Sequence, residues 1–498
     1  MRLALFWLPS LTKALVPVPR RAVSAPRRSA ATVDRTEAPP ERTKEPTTAP
    51  PLDEAVAPAT AAETDRSHGF TEGPSVAFWQ TYAPPAEGGI GNLRAAAAKA
   101  LQSGAKGGDA MRYYGYHLAR ATFFAGQGAA GVIAYQASAS SAPYRGDPAT
   151  TEPSKGPPRS PAFELPTLVD TMGALFAEAV ATYEQDFGEV QKGTFPLPWD
   201  MVDGVRNRQT SPLFLADQAR RYVNEAISIL TKRNRRDPGD FGVPYGGNAD
   251  LYPDYYLNNF HFQTDGWLSS DSAKLYETST ETLFLGRQDS MQRLALYPMR
   301  SWAATDDFKV LEVACGTGRL NTFLRDAYPR MDVSAVDLSP FYLEEARGHA
   351  KRWEAFRRRT QPSQRVGTAK FAQANAEKLP QADESVDVVV NVYLFHELPH
   401  EARRAAAAEM ARVCKPGGLV VWVDSVQTGD RPALDATLGN FQYLNEPHYP
   451  TYISEDVGAL FMDAGLEPFE KHTSSTSKCL SFVKPCAADD DYCLTKVA

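Results

Sequence analysis

Three groups of residues in this 498-residue chain have types and spacings that suit chemistry. The first is Val310-Leu-Glu-Val-Ala-Cys-Gly-Thr-Gly-Arg-Leu-Asn321, an apolar strand-like run that passes at once into a Gly-x-Gly turn and then a helical pattern. Glycines there let backbone N–H groups approach a ligand closely, and doubly wound sheets bind nucleotides in the crevice beyond their strand ends. Asp337 closes the next strand-like run, where a carboxylate can accept hydrogen bonds from both hydroxyls of a ribose. The second group, His396-Glu-Leu-Pro-His400, fits H-E-x-x-H, in which two histidines one helical turn apart bind zinc and the glutamate is a general base. That geometry needs an unbroken helix. Pro399 disfavours helical backbone at Leu398 and has no N–H to donate, so no zinc or other metal is expected. The third group is Asp254 to Tyr276, where dense aromatics are mixed with His261, Gln263, Asp265 and Ser269. Such a stretch can wall a substrate pocket or form the core joining two domains.

Two nucleotide classes compete for the Gly-x-Gly turn. Dinucleotide sites read G-x-G-x-x-G, with a third glycine for close helix–strand packing. Asn321 stands at that place, and Glu312 lies four residues before the first glycine. This pattern favours S-adenosylmethionine over a dinucleotide. A nicotinamide-dependent oxidoreductase is the second reading. A non-catalytic partner subunit that keeps the fold is the third, opposed by the intact Gly-x-Gly and Asp337.

These residues require a scaffold of alternating strands and helices. Short β-branched runs at Val310 to Ala314, Met331 to Val336, Val386 to Val390 and Leu419 to Val423 are separated by helical stretches, as parallel strands demand long crossovers. Leu466 to Ser474 and Lys478 to Val483 read as an antiparallel hairpin at the sheet edge. Upstream, Gly91 to Tyr135, Leu168 to Phe187 and Ser211 to Arg233 are helix-compatible. Leu215, Ala219, Tyr222, Ala226 and Leu230 form one apolar stripe in the last, which reads as a packed helix with a solvated face.

In order and spacing, Glu312-Val-Ala-Cys-Gly-Thr-Gly318, Ala374-Asn-Ala-Glu-Lys-Leu-Pro380, Ser385-Val-Asp-Val-Val-Val-Asn391 and Arg412-Val-Cys-Lys-Pro-Gly-Gly-Leu419 resemble the motifs of class I S-adenosylmethionine-dependent methyltransferases of type 11. The nearest pattern is the subgroup of ubiquinone- and menaquinone-biosynthesis enzymes. The resemblance covers about 300 to 485 and implies a Rossmann-like α/β fold with a doubly wound, mostly parallel seven-stranded sheet. It places Glu312, Ala314, Gly316 and Gly318 around the methionine part of the cofactor, Asp337 at the ribose, and Leu338, Asn375 and Ala376 at the adenine. The family usually has Asp at position 375; the Asn carbonyl can still reach the adenine amino group. Asn391, ending the fourth strand, is placed facing the methionine end. Tyr393, His396 and Glu397 fall in the loop beside the methyl group. His396 is the expected general base for a hydroxyl acceptor, with Tyr393 or His261 as alternatives. A small acceptor, aromatic or lipid-like, is expected from the aromatic stretch 254 to 276 and from Phe441, Tyr443, His448, Tyr449 and Tyr452. The first of these stretches resembles plant and cyanobacterial methyltransferases of undefined substrate.

Composition bounds the rest. At 43% hydrophobic and 23% charged the chain is globular, and its longest largely apolar stretch, the mixed segment Val386 to Phe395, is too short to span a bilayer. The formal charge of −7 gives no basic excess for nucleic acid. Five cysteines without paired metal spacing suit a reducing compartment rather than a disulfide framework. Residues 1–33 carry Arg2, Lys13, Arg20, Arg21, Arg27 and Arg28 and no acid, the pattern of an organelle transit peptide. A secretory signal is disfavoured because Pro9 and Lys13 interrupt its apolar region. The expected organisation is a transit peptide over 1–33, a disordered linker over 34–70, and a mainly helical substrate-lid region over 71–300. The cofactor-binding domain follows over 301–485 and an acidic tail over 486–498. The plant and cyanobacterial likeness makes a plastid the expected destination, with the mitochondrion second.

Overall fold

The β-branched runs of the C-terminal half pair into one sheet because they are largely apolar and their central residues can be buried only between two helical layers. In the computed structural model the described residues are 68–83, 89–139, 165–235 and 251–486. All of them belong to a single unit. The expected transit peptide, the linker up to residue 67 and the acidic tail beyond Cys486 lie outside the described residues.

The strands are β1 (Thr71–Glu72), β2 (Lys309–Val313), β3 (Asp332–Asp337), β4 (Ala369–Gln373), β5 (Val386–Val392), β6 (Cys414–Ser425), β7 (Glu467–Ser474) and β8 (Ser477–Val483), in the order β1-β7-β8-β6-β5-β2-β3-β4. From β6 through β5, β2 and β3 to β4 every pairing is parallel. The expected C-terminal hairpin is present, with β8 running antiparallel between β6 and β7. Eight strands are found where seven were expected. The additional one is the two-residue β1, which enters from the N-terminal region and pairs parallel with β7, Thr71 opposite Glu470.

Alternation along the central strands divides the core. Val310, Val388 and Val421 face one helical layer with Leu320, Phe323 and Met299. Leu311, Val389 and Val420 face the other with Phe395, Met410 and Phe461. Phe195, from the helical N-terminal region, belongs to the first of these cores, and Trp199 packs with Trp353 and Phe356. The N-terminal region therefore completes the sheet's covering layer.

Buried ion pairs reinforce that junction. Arg319, the first residue of the helix Arg319–Ala327, pairs with Asp289 at 2.6 Å and with Asp200. Arg293 pairs with Asp186, and Arg120 with Glu281 at 2.7 Å. The helix Pro212–Arg235 packs beside Gly108–Ala139 and Ser270–Leu283, whose N-terminus is capped by Ser269 accepting from Ser272 N. No helix among the described residues is long and apolar enough to cross a membrane.

Candidate active site

After β3 the chain goes outward to β4 and then crosses back to β5 on the other side of β2, so the order reverses at β2 and opens a crevice beyond its C-terminal end. The turn after β2 carries three positive-φ residues, Ala314 (φ 54°), Gly316 (φ 54°) and Gly318 (φ 72°). A Cβ on Gly316 would meet nothing within 4 Å, so its backbone faces open space. Gly318 is different. A Cβ there would stand 2.8 Å from Ala346 Cβ, and Gly318 does not line the cavity. It allows the turn to sit against the helix Pro340–Thr360, a packing role where a cofactor contact was expected.

Asp337 accepts from Gly316 N and Ser339 N, each at 2.8 Å. A carboxylate has about four acceptor sites, so each oxygen keeps a lone pair for a ribose hydroxyl. Burial pushes its carboxyl up to about 6, with the two backbone N–H groups opposing. Glu312 is 2% exposed, accepts from Asn321 Nδ2 at 2.8 Å and is pushed up to about 8 by burial. An ammonium group brought beside it would recover the charged form. Leu338, Asn375 and Ala376 line the same crevice. Asn375 turns back on its own loop, its Oδ1 accepting from Glu377 N at 2.9 Å, which leaves that oxygen one further lone pair. Asn391 does not reach the crevice. It is fully buried, and its amide donates to Val313 O at 2.9 Å, tying β5 to β2. The side chain of the last inward residue of a central strand lies beneath the turn, so the expected contact with the methionine end is replaced by a structural one.

A polar cluster closes the other end of the cavity. Leu394 is followed by a short 3-10 turn, Phe395–Glu397, and Pro399 then precedes the helix His400–Val413. His396 and His400 thus lie on different elements, and His400 pairs with Glu455 instead. His396 Nδ1 is 2.6 Å from Asp424 Oδ1, and its Nε2 is 3.4 Å from Glu397 Oε1. His261 reaches the cluster from the N-terminal region, its Nε2 3.2 Å from Glu397 Oε1 and its Nδ1 2.9 Å from Glu446 Oε1. Burial alone would lower both imidazoles. Asp424 and Glu397 nevertheless hold His396 well above the usual range, and Glu446 with Glu397 raises His261 to about 10. The expected proton-accepting role of these histidines needs a neutral ring near pH 7, and the surrounding carboxylates oppose it. Tyr393 lines the cavity with its hydroxyl 2.7 Å from Ser477 Oγ, and burial raises the phenol well above 10, so it is no better a base.

Backbone strain gathers on this cavity. His261 (φ 57°), Phe262 (φ 56°), Tyr393 (φ 58°) and Ala314 are non-glycine residues in left-handed conformation, each costing on the order of 1–3 kcal/mol. The surrounding packing holds them there.

The two ends share one cavity of about 260 Å³. Tyr255, Tyr256, Gln263, Trp267 and Tyr276 line it while Phe260, Phe262 and Leu268 are buried, so the aromatic stretch serves as both wall and core. Phe441 and Tyr449 contribute as expected. Two contributors were not foreseen. Tyr222, Ala226, Ile229 and Leu230 of the helix Pro212–Arg235 form an apolar wall, although a 3.6-residue stripe looks the same whether it faces core or cavity. Glu446, 1% exposed, lies within the stretch Asn440 to Tyr452 expected as a wall but was not among the residues expected to matter there. Its place depends on Asn445, whose amide donates to Asn258 Oδ1 at 3.0 Å and Asn259 O at 2.8 Å and so ties its loop to the one carrying His261.

A Gly-x-Gly turn after the first parallel strand, an acid at the tip of the second and a cavity extending past the fourth define the class I S-adenosylmethionine-dependent methyltransferase domain, with S-adenosylmethionine as its cofactor. Residues 310–418 match the family described as a methyltransferase domain. The chain is 27% identical over 235 residues to 27-O-demethylrifamycin SV methyltransferase of Amycolatopsis mediterranei, covering 46% of this chain and 75% of that protein. It is 31% identical over 116 residues to phthiotriol/phenolphthiotriol dimycocerosates methyltransferase of Mycobacterium leprae, covering 23% of this chain but only 37% of that protein. Magnesium protoporphyrin IX methyltransferase of Synechocystis, solved with bound S-adenosylhomocysteine, shares 15% identity over 40% of this chain and 88% of its own, with a TM-score of 0.29.

Proposed function

We propose that this chain transfers a methyl group from S-adenosylmethionine to a small, largely apolar acceptor, aromatic or lipid-like, that carries one polar atom. The observation that carries this is the asymmetry of the cavity. One end is a nucleotide crevice with Glu312 and Asp337, one side is an apolar wall of Ala226, Ile229, Leu230, Leu434 and Leu438, and the far end holds the charged cluster around Glu397. Such a pocket holds an apolar body by burial and orients it by a few polar groups. The names of two relatives, a 27-O-demethylrifamycin SV methyltransferase and a phthiotriol/phenolphthiotriol dimycocerosates methyltransferase, lend this reading loose support.

The bound cofactor supplies an electrophilic methyl carbon on a positively charged sulfur. The protein's part is to bind, align and exclude water, which is where much of the acceleration of an in-line displacement resides. Asp337 fixes the ribose, the apolar wall holds the acceptor's body, and the cluster of His396, Glu397, His261 and Glu446 receives its polar atom.

The test is release of S-adenosylhomocysteine from S-adenosylmethionine with a panel of phenols, quinols and long-chain alcohols. Ile229→Trp, which places an indole in the apolar wall, should slow transfer to the larger acceptors at least ~10-fold while leaving S-adenosylhomocysteine affinity unchanged. Equal rates for all acceptors in both proteins would overturn the assignment of that wall. We also propose a plastid as the site of action, supported by the acid-free basic stretch Arg2 to Arg28. Mass spectrometry of the native amino terminus tests this; a chain still starting at Met1 opposes it.

A further inference from the structure

The polar cluster at the far end of the cavity contains more acceptor capacity than the protein uses. Glu397 Oε2 and both oxygens of Glu446 are buried without a hydrogen bond. The 2.9 Å approach of His261 Nδ1 to Glu446 Oε1 is a charge contact lying off the line of an N–H. Unpartnered buried carboxylate oxygens are costly, and both carboxylates line the cavity. Ligand-type atoms of His396, Glu397 and Glu446 all lie within 4.8 Å of one another. Ligands about 2.0–2.2 Å from one metal ion stand ~3–3.5 Å apart, so small side-chain rotations close the set.

The supporting residues are those a metal centre requires. Asp424 fixes the ring of His396 through Nδ1 at 2.6 Å and turns Nε2 to the cluster, the carboxylate–histidine arrangement that orients metal ligands. His261 stands between the two glutamates and keeps their like charges together.

We propose that His396 Nε2, Glu397 and Glu446 bind one divalent first-row transition-metal ion, with its remaining positions open to the cavity. A nitrogen with two carboxylates suits borderline ions such as Mn²⁺, Co²⁺ or Zn²⁺. Binding displaces protons from the cluster, as for any imidazole–carboxylate ligand set. The open positions face the place where the proposed acceptor's polar atom lies. This last step rests on the proposed function; the cation site itself does not. His396 and Glu397 thus belong to a metal site other than H-E-x-x-H: Glu446 takes the place that the proline break denies to His400.

Full-length protein, stripped with chelator and dialysed, should take up one Co²⁺ per chain with a visible ligand-field spectrum, and Mn²⁺ should compete for it. Glu446→Gln and His396→Ala should each weaken Co²⁺ binding at least ~10-fold while S-adenosylhomocysteine still binds, which shows that the fold survives. His400→Ala should bind Co²⁺ as the parent does. Failure of the parent to bind either ion, or binding unaltered by Glu446→Gln, overturns the site; loss with His400→Ala supports H-E-x-x-H in its place. Stoichiometric Co²⁺ with no transfer to any acceptor would refute the acceptor reading and leave the cation site standing.

Discussion

The decisive perturbation of the cofactor site is Asp337→Asn. The carboxylate already accepts Gly316 N and Ser339 N at 2.8 Å each, so the ribose hydroxyls meet its remaining lone pairs. The amide keeps the shape but offers one oxygen, and its NH2 group must face either a backbone N–H or a hydroxyl. Hydrogen bonds to a charged group contribute about 1.5–3 kcal/mol each, and losing one of the pair corresponds to roughly 10- to 150-fold weaker binding. The pH dependence is a separate check. The carboxyl of the free protein is pushed up to about 6, so the acceptor form is present above that pH and is lost as pH falls through it. This carboxyl should therefore contribute about a tenfold fall in S-adenosylhomocysteine affinity from pH 7 to pH 5, a contribution lost in the Asn variant, whose remaining slope belongs to Glu312. Isothermal calorimetry at both pH values measures both effects. Affinity within twofold of the parent at pH 7, or an undiminished slope in Asp337→Asn, would refute the assignment of this residue to the ribose.

Three further outcomes are expected. Gly318→Ala should lower stability by about 2–4 kcal/mol in denaturant unfolding, since φ is 72° and the new Cβ would stand 2.8 Å from Ala346 Cβ. Asp289→Asn leaves Arg319 short of a buried partner and should cost about 3–5 kcal/mol in the same measurement; a change below 1 kcal/mol would show the pair to be dispensable. Tyr393→Phe removes only the contact with Ser477 Oγ, so stability should drop by about 0.5–1.5 kcal/mol and single-turnover methyl transfer by less than ~3-fold. A hundredfold loss would restore the phenol as a proton acceptor.

How far the sequence carries depends on whether a feature is local. Runs such as Val386 to Val390 announce themselves because a buried parallel strand needs mostly β-branched apolar residues, here broken only by Asp387, and a Gly-x-Gly turn must follow β2 at once. β4 escapes notice because Ala-Lys-Phe-Ala-Gln at the edge is half-buried on one face, exposed on the other, and carries no such run. The crevice carboxylates Glu312 and Asp337, the candidate cofactor residues, are legible from their place near strand ends. Glu446 is not, because its loop is joined to the one carrying His261 by Asn445 holding Asn258 and Asn259, a contact between segments far apart in the chain. Gly318 and Asn391 show the opposite error: both stand in the motif, but the close packing of Ala346 and the carbonyl of Val313 give them structural duties. Of the cysteines, Cys315, Cys414 and Cys479 are buried, whereas Cys486 is disulfide-bonded, against the expectation from their spacing.

The pairing of β1 with β7 has a consequence for synthesis. Thr71 and Glu72 lie beside Glu470 and Lys471, Phe70 packs edge-on against Phe482 at 5.3 Å, and His68 bonds Asp456 at 2.7 Å. The start of the ordered sheet is thus joined to strands that leave the ribosome almost last, β8 ending at Val483 of 498 residues. Such distant contacts form only after the intervening chain is made, and topologies of this kind fold slowly. While translation proceeds, the outer edge of β6 waits for its antiparallel neighbour β8, and during that interval an unpaired strand edge stands open to association with other chains.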